Sequence, residues 1–209
     1  MIAVTLGVLA ASPSGAIETP LALPSIAEAV TAGSGMAQRG EGYTFGPYVL
    51  FSSDDSMSVA GEKDPIEAII VGTPYERLRF EAYVLAHQRK PFGGAVAANF
   101  ASGQAGIIEF VLFLHGRSGQ GREFISLYGN ATVTDASGKQ YAAEQTVRTT
   151  PVNDAYLGIG SSIVTRWLGQ ITYRFRLDPS LLPQSQLTFA FTDDRGTEHR
   201  YPLALAKFR

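Results

Sequence analysis

The side chains able to do acid–base or metal chemistry are few and scattered. The three histidines, His87, His115 and His199, form no His-x-x-x-His or Glu-x-x-His pair of the kind that presents two ligands on one helix face. A metal site would have to bring two of these histidines together with Asp193 or Asp194. The plainer expectation for a histidine at a strand end is a bond to backbone. Asp54-Asp55 with Ser52, Ser53 and Ser56 gathers hard oxygen ligands, but it lacks the alternate-residue acidic spacing and the distal bidentate Glu of a calcium loop. Gly116-Arg-Ser-Gly-Gln-Gly-Arg122 offers amides and two guanidinium groups to an anion, without the Lys-Ser/Thr ending of a phosphate loop. Neither Ser118 nor Ser161-Ser162 has the Gly-x-Ser-x-Gly spacing of a nucleophile elbow. Cysteine is absent, which removes thiol nucleophiles, thiolate metal sites and disulfides. This inventory predicts no cofactor, no metal and no enzyme.

Recognition by surface contact is the remaining class. Tyr43, Phe45, Tyr48 and Phe51, with Tyr156 and Trp167 in or near loops, could form a sugar-stacking platform or a protein interface. Tyr48, Tyr156 and Trp167 are the candidate interaction surface. Seventeen basic and 19 acidic residues are interspersed for a formal charge of −2, so no basic field exists to neutralise phosphates and nucleic acid is excluded as a partner.

The elements that must position these residues read as mainly β. Gln186–Leu205 is a hairpin: Leu187, Phe189 and Phe191 alternate outward, Asp193-Asp-Arg-Gly196 turns, and His199, Tyr201, Leu203 and Leu205 alternate back. Gly106–His115 is apolar on both faces, as a central strand covered on each side would be. Trp167–Leu177 alternates cleanly, and Tyr43–Phe51, Phe124–Tyr128, Ala131–Thr134 and Gln140–Thr146 supply further strands. Thr73-Pro-Tyr-Glu76 caps a helix over Tyr75–Gln88, against a rival strand reading from the alternation of Leu78, Phe80, Ala82 and Val84. Asp64-Pro-Ile-Glu67 opens a brief helix, with a short buried strand over Ala68–Val71 as its rival.

At the amino terminus, the apolar run Ile2–Ala10 followed by the small residues to Ala16 has the length and ending of a secretory leader, although no Lys or Arg precedes it. Ser25–Glu28 permits two helical turns that Gly33 would stop, and 33–42 has no periodicity. The expected organisation is a signal peptide over 1–16, a flexible tail over 17–42 and a β-sandwich domain over 43–209. No stable membrane span would be left once the leader is removed.

The stretches "VTDASGKQY", "GQITYRFRLDP" and "LTFAFTDDRGTEHRYPL" have the turn spacing of exported bacterial immunoglobulin-like β-sandwich domains, and the C-terminal part of the chain resembles them. The resemblance implies an antiparallel immunoglobulin-like sandwich with a short helical insertion, periplasmic or secreted. With the site inventory, it leads to a non-catalytic binding or structural accessory component of a cell-envelope or extracellular assembly, held there by a protein partner. The rivals are a carbohydrate-binding module, which needs coplanar exposed aromatics, and a small metal-dependent hydrolase, which needs His115 or His199 beside carboxylates in a cleft.

Overall fold

The computed structural model describes residues 17–53, 59, 64–178, 181–182 and 186–209. The leader over 1–16 and the pair Asp54-Asp55 lie outside them. In chain order the elements are α1 (Leu23–Gln38), β1 (Val49–Ser52), β2 (Ile66–Gly72), α2 (Pro74–His87), α3 (Gly94–Gly103), β3 (Ile107–His115), β4 (Ala131–Asp135), β5 (Gln140–Ala142), β6 (Gln145–Arg148), β7 (Val152–Leu157), β8 (Ile163–Arg176), β9 (Gln186–Thr192) and β10 (Glu198–Ala204). Two sheets result, antiparallel at every pairing. The first runs β1-β2-β3-β8-β6 with β7 also on β8, and the second runs β10-β9-β4-β5.

β3 organises the layers because both its faces are apolar. Phe110 lies flat on Phe189 of the second sheet, ring centroids 3.9 Å and planes 2° apart, and meets Phe175 edge-on. On the opposite face Phe113 touches Phe45, and Glu109 reaches the Arg77 guanidinium of α2 at 2.8 Å. The first sheet is therefore sandwiched, with the second sheet on one side and the helices on the other. That helical layer of three elements replaces the short insertion expected from the sequence.

The segment 17–42 is folded, against the flexible tail expected there. Pro24 sits in the first turn of α1, where its missing N–H costs nothing, and Ser25, Ile26, Ala29, Gly33 and Met36 form a helical stripe buried chiefly against α2. Gly33 does not stop the helix. A Cβ there would lie 2.0 Å from the Arg79 carbonyl oxygen, so glycine is what lets α1 and α2 come together. Upstream, Ile17 and Leu21 belong to the core, and the Thr19 hydroxyl accepts from the Gly106 N–H at 2.7 Å.

α2 forms as its capping signal predicts: Thr73 accepts from the Glu76 N–H at 3.2 Å and Pro74 opens the first turn. Elsewhere tertiary pairing overrides the local signal. Asp64–Glu67 is not a helix start, because Ile66–Gly72 is captured as β2 against β3. Tyr43–Phe51 yields a 3-10 turn, Gly46–Tyr48, before β1, and Phe124–Tyr128 falls mostly in a 3-10 segment, Arg122–Leu127. Gln140–Thr146 is not one strand; it divides between β5 of the second sheet and β6 of the first.

Candidate functional site

At the end of β3 the chain turns through Gly116 into Arg117, which meets the turn between β9 and β10. Arg117 Nε donates to both Asp194 oxygens at 3.2 and 3.0 Å, Gln120 donates to Asp194 Oδ2 at 2.8 Å, and Arg117 Nη2 stands 3.6 Å from Asp193 Oδ2. All three charged side chains are buried. Asp193 Oδ1 accepts the Arg195 and Thr197 N–H groups, and Oδ2 is 3.1 Å from His199 Nε2. Burial alone would raise the Asp193 carboxyl, but the bonds from His199, Thr197 and Arg195 outweigh it and hold it below the usual carboxylate range. The local sequence explains the arrangement: Asp at the first turn position bonds the backbone two and four residues on, which fixes the hairpin and aims His199 at the same carboxylate.

Two buried atoms here, Arg117 Nη1 and the Tyr128 hydroxyl, have no hydrogen-bond partner among the described residues. Burial, with the Asp194 carboxylate near, pushes the Tyr128 phenol up. Asp64 Oδ2 approaches His199 Nδ1 at 3.8 Å.

His115 lies in a separate pair. Its Nδ1 is 3.3 Å from Glu67 Oε1, which also accepts the Tyr156 hydroxyl at 2.5 Å, and the His115 and Tyr156 rings are 5.3 Å apart. Burial, then the bonded Glu67, raises the Tyr156 phenol. His87 is exposed on the last turn of α2 beside Tyr83. A His–Asp or His–Glu pair can orient an imidazole, but hydrolysis needs a nucleophile or metal in line with it. Among the described residues no group of three or more His, Cys, Asp or Glu is placed to hold a metal ion.

The aromatic platform does not assemble. Tyr48 is buried, its ring near Phe208 and its hydroxyl directed at the Arg209 carbonyl, while Tyr156 is buried over Glu67. Trp167 is half-buried against the core. Tyr43 packs with Phe45, Phe80 and Tyr83, and Phe51 packs on Tyr201. Of the expected surface, Tyr48 and Tyr156 are core, because each hydroxyl finds a partner inside.

What the sequence reading passed over is the far end of the β7–β8 hairpin. β8 continues beyond its pairing with β3, which ends at His115↔Leu168, and residues 163–168 pair with β7. Near the turn, the cross-strand partners Leu157 and Ile163 are 50% and 76% exposed, and Ile159 in the turn is 82% exposed. Val152 at the base of β7 and Val147 on β6 are exposed too. Among the described residues, five of the nine exposed large hydrophobic side chains thus fall on β6, β7, β8 and the turn between β7 and β8. The only signal in the sequence was isoleucine at 159 and 163 flanking Gly160-Ser-Ser162, a spacing that reads as a flexible loop.

No family model matches the chain, and no curated protein or solved structure matches it.

Proposed function

We propose that the protein is a non-catalytic binding or structural accessory component of a bacterial cell envelope or an extracellular assembly, and that the apolar end of the β7–β8 hairpin is its contact surface. The observation that carries this reading is the exposure of Leu157, Ile159 and Ile163 together at one turn, beside the buried Val59, whose N–H donates to the Leu157 carbonyl at 2.8 Å. Apolar area in water costs about 25 cal/mol per Å², so such a cluster is stabilised when something covers it. The two aspartates of the β9–β10 turn, by contrast, are engaged in bonds that hold strand ends: Asp193 closes the turn, and Asp194 ties it to Arg117. Export by a leader over 1–16 and a scaffold resembling immunoglobulin-like domains are part of the proposal. The two antiparallel sheets support the scaffold, and the helical layer departs from it.

The carbohydrate-binding reading has less support, since Tyr48 and Tyr156, two of the six aromatics named for its platform, are buried. The test is fractionation of source cells producing the protein. Wild type should be retained with the envelope or its assembly, Ile159→Ser/Ile163→Ser should be released, and His115→Gln/His199→Gln should be retained. Release by the histidine changes alone, with the fold intact by circular dichroism, would refute the reading.

A further inference from the structure

We infer that the β7–β8 turn docks onto a lipid surface, as a shallow interfacial anchor. This rests on the contact reading above and names the partner of that same surface.

The chemistry of the turn favours lipid over a protein. Residues 155–165 contain no charged side chain. The exposed apolar groups are aliphatic, Leu157, Ile159 and Ile163, separated by Gly and Ser. Protein hot spots are enriched in Trp, Tyr and Arg and seat in pockets, whereas an exposed aliphatic turn suits fluid acyl chains that mould around it.

Depth points the same way. The first charged residues back along the hairpin are Asp154 and Arg166, partners across the strands. They lie three rungs behind Leu157↔Ile163, which at ~3.3 Å per residue is about 10 Å. The turn and its first rung can therefore enter to the roughly 5–10 Å depth of an interfacial element before the backbone of that charged pair reaches hydrocarbon, with the Arg166 side chain lining the same concavity as Ile159. Tyr156, one rung back on the opposite face, is tied to the body through Glu67, whose side chain is only 13% exposed. That bond braces the hairpin and keeps the carboxylate turned inward. Trp167, paired with Asn153 at the next rung after Asp154↔Arg166, stands near headgroup level, where amphipathic rings are favoured.

The experiment is co-flotation of the full chain with phosphatidylcholine vesicles and with vesicles carrying about a third phosphatidylserine, an order-of-magnitude choice for the anionic surface of a membrane. Wild type should float with both, since the driving contact is apolar. Ile159→Asp and Ile163→Asp, at exposed positions that leave the fold intact by circular dichroism, should each lower the vesicle-bound to free ratio about tenfold or more. In a Trp167→Phe background, Ile159→Trp should shift its emission to the blue on vesicles and be quenched by lipids labelled near the headgroup.

Absence of flotation overturns the lipid assignment. If the same substitutions still release the protein from the envelope fraction, contact through this turn stands and its partner is a protein. If wild type instead self-associates in sedimentation and the Asp variants do not, the occupant is a second copy of the chain. Loss of neither retention nor flotation in the variants removes both readings.

Discussion

Gly33→Ala tests whether α1 is part of the folded protein, because the two possibilities predict opposite signs. In a helix that touches nothing, replacing an interior glycine by alanine stabilises by about 1 kcal/mol, the propensity difference between the two. In the packed structure the new methyl carbon would lie 2.0 Å from the Arg79 carbonyl oxygen and 3.0 Å from the Ala82 Cβ. The nearer atom is backbone, so no rotamer change relieves it. α1 and α2 must separate by about 1 Å even to reach the closest tolerable contact, and a gap of that size forfeits a quarter to a half of each dispersion contact along the Ser25, Ile26, Ala29 and Met36 stripe. Overpacking of this kind costs about 1–3 kcal/mol, so the net expectation is destabilisation by about 1–2 kcal/mol after the propensity gain. Gly35→Ala is the internal control. Its Cβ would meet only the flexible Arg39 guanidinium at 3.2 Å, and it should be neutral or stabilise by up to about 1 kcal/mol. Both values come from urea unfolding followed by helical circular dichroism. If Gly33→Ala stabilises as Gly35→Ala does, α1 is not packed on α2 and the segment 17–42 is the loose tail its sequence suggests.

The faces of β3 should respond unequally: Phe110→Ala, at a fully buried ring stacked between the sheets, should cost about 3–5 kcal/mol, and Phe113→Ala, half-buried against Phe45, less than half of that, by the same unfolding assay. Arg89 holds φ 57° just past α2, where its N–H donates to Ala86 and that of Lys90 to Leu85, so Arg89→Gly should raise stability by about 0.5–1 kcal/mol, read as a higher urea midpoint. The Asp193 carboxyl is held below its unfolded value of about 3.9, so its contribution is present above that pH and is lost as pH falls through the lower folded value; Asp193→Asn should flatten the acid limb of stability against pH below about 4, and an unchanged slope would remove Asp193 from that role.

The parts of the fold legible in the sequence are those where one local signal has no competitor. The terminal hairpin forms in the register its alternation demands, Leu187↔Leu203, Phe189↔Tyr201 and Phe191↔His199, because a period of two ends at a turn whose Asp193 bonds its own backbone. β3 was legible as doubly covered, but its sequence does not say by what. The helices that cover one face include α1, whose Gly33 reads as a stop until the Arg79 carbonyl is placed beside it. Likewise Gln140–Thr146 reads as one strand, and only the two partners, β4 and β8, reveal that it changes sheet.

The proposed contact surface lies one residue away from an aromatic that the sequence marks for such a role. Tyr156 and Leu157 are neighbours, and strand alternation sends them to opposite faces: the tyrosine inward to Glu67, the leucine outward beside Ile163. An inventory of aromatics selects Tyr156 because large rings with a polar tip suit interfaces, but that same hydroxyl is what lets it be buried against a carboxylate. Leu157 has no polar atom with which to satisfy an interior carboxylate, so the register that buries its neighbour leaves it in solvent. The candidate contact surface is thus set by the register of the β7–β8 hairpin, and a slip of one rung would bury Leu157 over Glu67 and expose Tyr156.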